Sequence, residues 1–162
     1  MFLVRIWVKR LRFGWKILFS LNSFHLESGL YIHSVSTGFI DVPGQISLNV
    51  YVHGCMKSCP GCQNSELQEF KKENFHDSEK FKMLLNRYAM CNWVCFLGGD
   101  AVYQPKGLEA LAKTSKECGK KVCLYTGLNY GELDHLDKSN IDLIIDGEYI
   151  EDLGGLQSSN TN

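Results

Sequence analysis

The sequence predicts an α/β fold built on a mainly parallel sheet. Strand-like and helix-like segments alternate along the chain, and residues 93–97 form a short, nearly continuous apolar run of the kind found in buried parallel strands. Glycines and unusual polar residues follow several of the strand segments. Ligands collect at the carboxyl ends of the strands in such sheets, so we expect a site at that edge.

The first elements follow from local patterns. Residues 30–35 predict a short strand, and residues 36–44 a turn-rich connection. Residues 46–52 alternate apolar and polar side chains, which is typical of a half-buried strand. Residues 65–75 are polar and predict an irregular segment.

Three helices are predicted, the first of them from the helical spacing of its apolar residues. Asp77 or Ser78 is expected to cap the first helix, while Pro105 opens the second and Gly119 closes it. The predicted helices span residues 79–90, 108–118 and 131–136. Further strands are predicted at residues 121–125 and 141–145.

The bulk composition is that of a single soluble domain of 162 residues, with 44% hydrophobic and 22% charged residues. A formal net charge of -1 gives no basic footprint for nucleic acid. Seven cysteines that cluster in part, rather than a dense disulfide pattern, indicate a metal site in a reducing compartment, so we expect a cytoplasmic protein.

The N-terminal segment, residues 1–28, is expected to be an extension outside the fold, with the domain spanning residues 29–162. Its first 21 residues are basic and apolar, and their charges interrupt every apolar run well short of the ~20 residues of a membrane span. No clean apolar core precedes a small-residue cleavage site, which speaks against a signal peptide. An amphipathic surface helix or an arm for a partner is the alternative.

The most informative motif is Cys55-x3-Cys59-x2-Cys62, in a loop directly after the strand predicted at residues 46–52. Structural zinc requires four ligands, and the nearest extra candidates are His53 and His76. Three thiolates with an open fourth position suit an iron–sulfur cluster. Of the other cysteines, Cys118 and Cys123 are expected to be core or half-buried residues.

The spacing of these three cysteines resembles the signature of the radical S-adenosylmethionine (SAM) enzymes. The resemblance implies a 4Fe–4S cluster whose fourth iron is chelated by SAM, and reductive cleavage of SAM to a 5′-deoxyadenosyl radical. It also implies a small open, partial β/α barrel with a mainly parallel sheet.

Further segments are similar to the activating proteins of anaerobic ribonucleoside-triphosphate reductase, a group of glycyl-radical activases. These segments are residues 59–62, 98–100, 125–127, 145–149 and 157–160. Residues 40–44 and 52–55, together with Asn64, resemble the small activating enzymes of glycyl-radical proteins in general. Gln63 stands where this group usually has Tyr, and Ala101 where it has Pro. The chain ends soon after Asn160, which implies a shortened C-terminal segment.

The resemblance implies roles for individual residues. Cys55, Cys59 and Cys62 would bind the cluster, and Gly98, Gly99 and Asp100 would bind SAM, with Asp100 accepting from its ammonium. Asn64 and Thr126 are further candidates for cofactor binding. Each has a structural alternative: a strand-to-helix turn for Gly98-Gly99, a turn hydroxyl for Thr126 and a cap for Asn64.

The implied function is that of a radical SAM oxidoreductase that generates a glycyl radical on the large subunit of anaerobic ribonucleoside-triphosphate reductase. A flavodoxin-like or other one-electron donor would reduce the cluster, and neither nucleic acid nor a membrane is an expected partner. One alternative is an activase of another glycyl-radical enzyme, of the pyruvate formate-lyase type, or another small radical SAM enzyme. The non-enzymatic alternative is a structural metal-binding module.

Overall fold

The computed structural model describes residues 27–153, and this part of the chain contains one sheet of six strands and two α-helices. The strands are β1 Gly29–Gly38, β2 Ser47–Val52, β3 Phe75–Asp77, β4 Trp93–Gly98, β5 Lys121–Thr126 and β6 Leu143–Asp146. The helices are α1 Ser78–Arg87 and α2 Pro105–Glu117. The predicted extension, except its last two residues, and residues 154–162 lie outside the described residues.

The strands lie in the order β3-β1-β2-β4-β5-β6, so this sheet is open, with β3 and β6 at its edges. Strands β2, β4, β5 and β6 run parallel to one another, while β1 is antiparallel to both β2 and β3. The predicted α/β class with a mainly parallel, open sheet is confirmed.

Two strands differ from their prediction on the β1 side of the sheet. β1 continues to Gly38 because Ser36 and Thr37, expected in a turn, pair with Asn49 and Leu48 of β2. β3 lies at the end of the segment predicted to be irregular and pairs with the first residues of β1. Three residues are too few to show an alternating pattern, so the sequence alone could not reveal this strand.

The helix boundaries follow the predicted end signals. The Oδ1 atom of Asp77 accepts a hydrogen bond of 2.8 Å from the backbone N–H of Lys80 and caps α1, as predicted. α1 ends at Arg87 rather than at residue 90, because Tyr88 leaves the helical conformation with φ -107° and ψ 44°. α2 begins at Pro105, and Gly119 follows it with φ +73°. In residues 27–153 no helix is long and apolar enough to cross a membrane.

The third predicted helix, residues 131–136, is wrong. The chain forms only a 3-10 turn over Tyr130–Glu132, because the N–H groups of Leu133 and Leu136 bond to carbonyls three residues back rather than four. β6 begins at Leu143 rather than at residue 141, since the Ile141 N–H bonds to the Lys138 carbonyl in a preceding turn.

One face of the sheet packs against both helices and forms the main core. Phe81 of α1 stacks on Phe96 of β4 with ring centroids 5.9 Å apart, and Leu111 of α2 and Leu124 of β5 are fully buried in the same cluster. Each such side chain contributes about 1.5–3 kcal/mol through burial. This packing fixes β4 and β5, whose ends carry the predicted site.

The other face of the sheet is covered by the loop over residues 39–45. Val42 packs there on Cys95 and Cys123, which lie opposite each other on β4 and β5. The backbone carbonyl of Asp41 accepts a hydrogen bond of 2.8 Å from the Tyr125 hydroxyl, which ties the loop to β5. Cys123 is buried and Cys118 half-buried, as predicted.

The parallel register places four strand ends at one edge. Val52 of β2 pairs with Gly98 of β4, and Thr126 of β5 pairs with Asp146 of β6. The segments that follow these strands therefore meet at the carboxyl edge of the sheet, where the sequence predicted a site.

Candidate metal and cofactor site

A cavity of about 360 Å³ lies at this carboxyl edge, and every site residue predicted from the sequence lines it. The loop after β2 contributes the three cysteines, and the ends of β4 and β5 contribute the glycines, the aspartate and the threonine. These residues are Cys55, Cys59, Cys62, Asn64, Gly98, Gly99, Asp100 and Thr126. The fold thus brings together side chains that are up to 71 positions apart in the chain.

Gly54 turns the chain from β2 into the cysteine loop. Its φ of +94° belongs to the left-handed region, and a Cβ at this position would lie 2.5 Å from the Phe70 ring. The Gly54 N–H donates to the Leu67 carbonyl at 2.8 Å, and the Cys55 N–H donates to the Gln68 carbonyl at 3.0 Å. The start of the loop is therefore held by the segment that follows it.

The three cysteines of the loop are free thiols that are all half-buried. The Cys62 N–H donates to the Cys59 carbonyl at 3.2 Å, and Gly61 inside this turn has φ +66°. Burial raises the pKa of the Cys55 thiol to about 11, and a smaller opposing effect comes from a hydrogen bond donated by the Lys57 backbone. Cys55 is thus a neutral thiol in the metal-free protein, and metal binding there releases a proton.

This donor set fits an iron–sulfur cluster. Each cysteine of such a cluster binds a different iron, so the three sulfur atoms need to face one cavity but need not converge on a single metal ion. Among residues 27–153, no group of three or more His, Cys, Asp or Glu side chains converges closely enough to hold a single metal ion. A zinc site requires four ligands within about 2.0–2.3 Å of one ion.

His53 and His76, the additional zinc ligands considered from the sequence, do not line the cavity. The His53 ring is buried and packs edge-on against His33, with centroids 5.1 Å apart. The His76 Nε2 atom lies 3.2 Å from the Asn74 side-chain oxygen, and burial lowers the pKa of His76 to about 4. Neither imidazole joins the three cysteines.

Gly98 and Gly99 pack against the base of the cysteine loop. The Gly99 N–H donates to the Val52 carbonyl, and the Asp100 N–H donates to the Gly54 carbonyl, both at 2.8 Å. A Cβ at Gly99 would lie 2.7–2.9 Å from three backbone oxygens, those of Gly54, Leu67 and Val52. Gly98 has φ +107°, which also requires glycine. The glycine pair therefore permits close contact between β4 and the loop.

Asp100 links the ends of β4 and β5. Its Oδ2 atom accepts hydrogen bonds from the Thr126 hydroxyl at 2.9 Å and the Gly127 N–H at 3.0 Å, and its Oδ1 atom accepts one from the Val102 N–H at 3.2 Å. Asp100 is 1% exposed, and burial raises the pKa of its carboxyl group to about 6 against the opposing effect of these hydrogen bonds. Internal donors thus engage most of its accepting capacity.

Thr126 and Asn64 differ in how their polar groups are engaged. The Thr126 hydroxyl donates its proton to Asp100 and accepts from the Leu128 N–H at 3.2 Å, which is the turn role considered as its alternative. Asn64 precedes the 3-10 turn Ser65–Leu67, but its side chain makes no capping hydrogen bond. Asn64 lines the cavity.

Several cavity residues were not predicted from the sequence. They are Asp41, Tyr51, Lys57, Tyr125 and the segment 148–150. Asp41 and Tyr125 were noted only within segments that resemble known activating proteins, and Lys57 only as a position inside the cysteine motif. For Lys57, the positive charge inside the three-cysteine motif was the one feature of the sequence that could have indicated a role in the site. Its place in the cavity wall depends on the packing of the loop against β5.

Comparisons with known proteins agree with this geometry. A family profile described as a 4Fe-4S single cluster domain matches residues 41–160. The chain is 30% identical over 118 residues to the anaerobic ribonucleoside-triphosphate reductase-activating protein of Salmonella typhimurium (strain LT2), with 64% of this chain and 75% of that protein covered. It is 27% identical over 117 residues to the protein of the same name from Escherichia coli (strain K12), with the same coverage.

The chain belongs to the family of anaerobic ribonucleoside-triphosphate reductase-activating proteins. The sequence-based assignment to the reductase-activating proteins is confirmed, and so is the prediction of an enzyme. The profile that matches the chain is that of a domain with one 4Fe–4S cluster.

A solved structure supports the fold independently. QueE from Escherichia coli superposes on the chain with a TM-score of 0.53 at 14% sequence identity. The match covers 66% of this chain and 56% of the QueE chain. At this identity the similarity concerns the fold alone.

Proposed function

We propose that this protein reductively cleaves SAM at a 4Fe–4S cluster and thereby generates a glycyl radical on an anaerobic ribonucleoside-triphosphate reductase. The observation that carries the proposal is the shared cavity. Three free cysteines on one loop face it together with Gly98, Gly99 and Asp100. The names of the curated relatives support the choice of the reductase as target.

Cys55, Cys59 and Cys62 would hold the cluster as thiolates. The chain provides three such ligands, which leaves one iron for SAM, and the bound group would supply one-electron cleavage of a carbon–sulfur bond. The protein contributes a fixed loop: Gly54 and Cys55 are held by backbone hydrogen bonds to residues 67 and 68. This anchoring lowers the cost of ordering the ligands when the cluster binds.

The remaining site residues would bind and orient SAM. Gly98 and Gly99 expose backbone at the edge of the cavity, and the Asn64 amide can bond a polar group of the cofactor. Asp100 would accept from the ammonium of SAM with a lone pair that its three internal donors leave available. The Thr126 hydroxyl acts indirectly, because its proton is already donated to Asp100.

A folded protein substrate would reach this site from the edge of the open sheet. Large apolar side chains are exposed there, namely Met56 of the cysteine loop at 58% and Ile150 at 49%. Ile150 also lines the cavity. We propose that the partner is the large subunit of the reductase, that a flavodoxin-like protein supplies the electron, and that the reaction takes place in the cytoplasm.

The test is anaerobic reconstitution followed by turnover. The wild-type protein should bind about four irons and four sulfides per chain. With dithionite it should release 5′-deoxyadenosine from SAM, and with the reductase present it should give the electron paramagnetic resonance (EPR) doublet of a glycyl radical. The Cys59→Ala variant should lose the cluster and both activities, whereas Cys118→Ala, outside the cavity, should retain them.

Two outcomes would contradict the proposal at different levels. A fully loaded wild-type protein that releases no 5′-deoxyadenosine would refute SAM cleavage. Release of 5′-deoxyadenosine without a radical on the reductase, but with one on pyruvate formate-lyase, would refute only the assignment of the partner.

A further inference from the structure

Lys57 is the one cation among the described residues that line the cavity. Four carboxylates share the wall with it, those of Asp41, Asp100, Asp146 and Glu148. A wall with one positive and several negative groups suits a ligand that carries one anion and more than one cation.

The side chain of Lys57 extends from the cysteine loop toward the end of β5. Its Cδ atom lies 3.3 Å from the position that a Cβ on Gly127 would take. Its charge opposes the burial that raises the pKa of Asp100, and it adds to the hydrogen bonds from Asn129 that lower the pKa of Glu132. The ammonium therefore lies between the loop and the β5 side of the cavity.

Three of these four carboxylates accept hydrogen bonds from other groups. The Asp41 side chain accepts from the Asn49 amide at 2.7 Å, and Asp146 accepts from the Tyr130 N–H at 2.6 Å. Asp100 accepts from the three donors described above. Within residues 27–153 the Lys57 ammonium forms no ion pair or side-chain hydrogen bond. Lys57 is half-buried, and its ammonium would be stabilised when an external anion binds.

We propose that the Lys57 ammonium binds the carboxylate of SAM, an inference that rests on the proposed function. SAM carries one carboxylate, one ammonium and one sulfonium, which matches the charge pattern of the wall. Lys57 lies two residues after Cys55 and two before Cys59, so an anion bound to it lies beside the cluster ligands. Lys57 is thus a binding residue that selects for the amino-acid part of SAM.

The test compares two ligands in the reconstituted protein. Decarboxylated SAM keeps the ammonium and the sulfonium but lacks the carboxylate. The affinities of both compounds are measured by anaerobic isothermal titration calorimetry for wild type, Lys57→Met and Lys57→Arg. The matched control is Lys71→Met, since Lys71 is also half-buried but pairs with Glu69 outside the cavity wall.

Lys57→Met should weaken SAM binding about tenfold, because it removes one charge-assisted hydrogen bond. It should not weaken binding of decarboxylated SAM. Lys57→Arg keeps the charge and should stay within about threefold of wild type for SAM, although its fork geometry differs. Lys71→Met should leave both affinities unchanged.

Equal weakening of both ligands, or unchanged SAM affinity in Lys57→Met, would overturn the proposal. Each affinity is calculated per cluster-containing protein. Lys57→Gln serves as a second neutral variant. Loss of the cluster from both neutral variants would also overturn it, since Lys57 would then support the loop itself. Failure of wild type to bind SAM at all would instead refute the proposed function, and the inference with it.

Discussion

Substitution of Gly99 by alanine tests whether the glycine pair supports the cysteine loop. The added Cβ would lie 2.7 Å from the Gly54 carbonyl oxygen and 2.9 Å from those of Leu67 and Val52. All three are backbone atoms, so the conflict cannot be relieved by a side-chain rotation. Either the end of β4 or the base of the loop must move.

The expected cost follows from these contacts. Overpacking of this kind costs about 1–3 kcal/mol. The movement also strains the hydrogen bonds that the N–H groups of Gly99 and Asp100 donate to the loop at 2.8 Å, each worth about 0.5–1.5 kcal/mol. We expect the free energy of unfolding to fall by about 3 kcal/mol, which corresponds to a Tm lower by about 6–12 °C.

The assays are thermal unfolding by circular dichroism and iron and sulfide analysis after anaerobic reconstitution. Gly99→Ala should lose most of its cluster, because Cys55 follows directly after the displaced Gly54. The control is Gly131→Ala, whose Cβ would meet no atom within 4 Å. If Gly99→Ala keeps the wild-type Tm and cluster content and only binds SAM more weakly, the glycines serve the cofactor alone and this reasoning is refuted.

Three further substitutions test the hydrogen bonds around the site. Burial raises the pKa of Asp100 from 3.8 to about 6, so the folded protein binds this proton more tightly than the unfolded chain does. The free energy of unfolding of the apoprotein should therefore fall by about 3 kcal/mol as the pH rises from about 4 to about 6. Asp100→Asn should remove this slope in urea unfolding, and an unchanged slope would assign it to another group. Thr126→Val removes the hydroxyl that donates to Asp100 and should cost about 1.5–3 kcal/mol in the same assay at neutral pH. The control is Thr37→Val, at an exposed position of β1, and a loss for Thr126→Val no larger than for this control would count against the link. Tyr125→Phe removes the hydrogen bond to the Asp41 carbonyl and should cost about 1 kcal/mol of unfolding free energy. Amide hydrogen exchange in residues 39–45 should also become faster. Unchanged exchange there would show that this hydrogen bond does not hold the loop.

The fold class and the position of the site could be predicted from the sequence because their signals are local. The apolar run of β4 and the alternation in β2 identify buried strands, and the three-cysteine motif directly follows one of them. Parallel strands share a carboxyl edge, so the convergence of the cysteines with Gly98 and Asp100 followed from the topology. The roles of these residues as ligands stay predictions.

The parts that the sequence did not reveal depend on long-range contacts. β3 has three residues and exists because it pairs with the start of β1. The Thr126 hydroxyl could equally have faced a ligand, and only the packing of β4 beside β5 directs it to Asp100. The place of Lys57 in the cavity wall likewise depends on how the loop folds against Gly127.

The central claim is that Cys55, Cys59 and Cys62 hold a 4Fe–4S cluster with one iron open to SAM. The most direct test is EPR of the dithionite-reduced, reconstituted protein before and after addition of SAM, combined with iron and sulfide analysis. We predict about four irons and four sulfides per chain and a changed cluster spectrum on addition of SAM. A full cluster whose spectrum is insensitive to SAM, or bound zinc without sulfide, would contradict the claim.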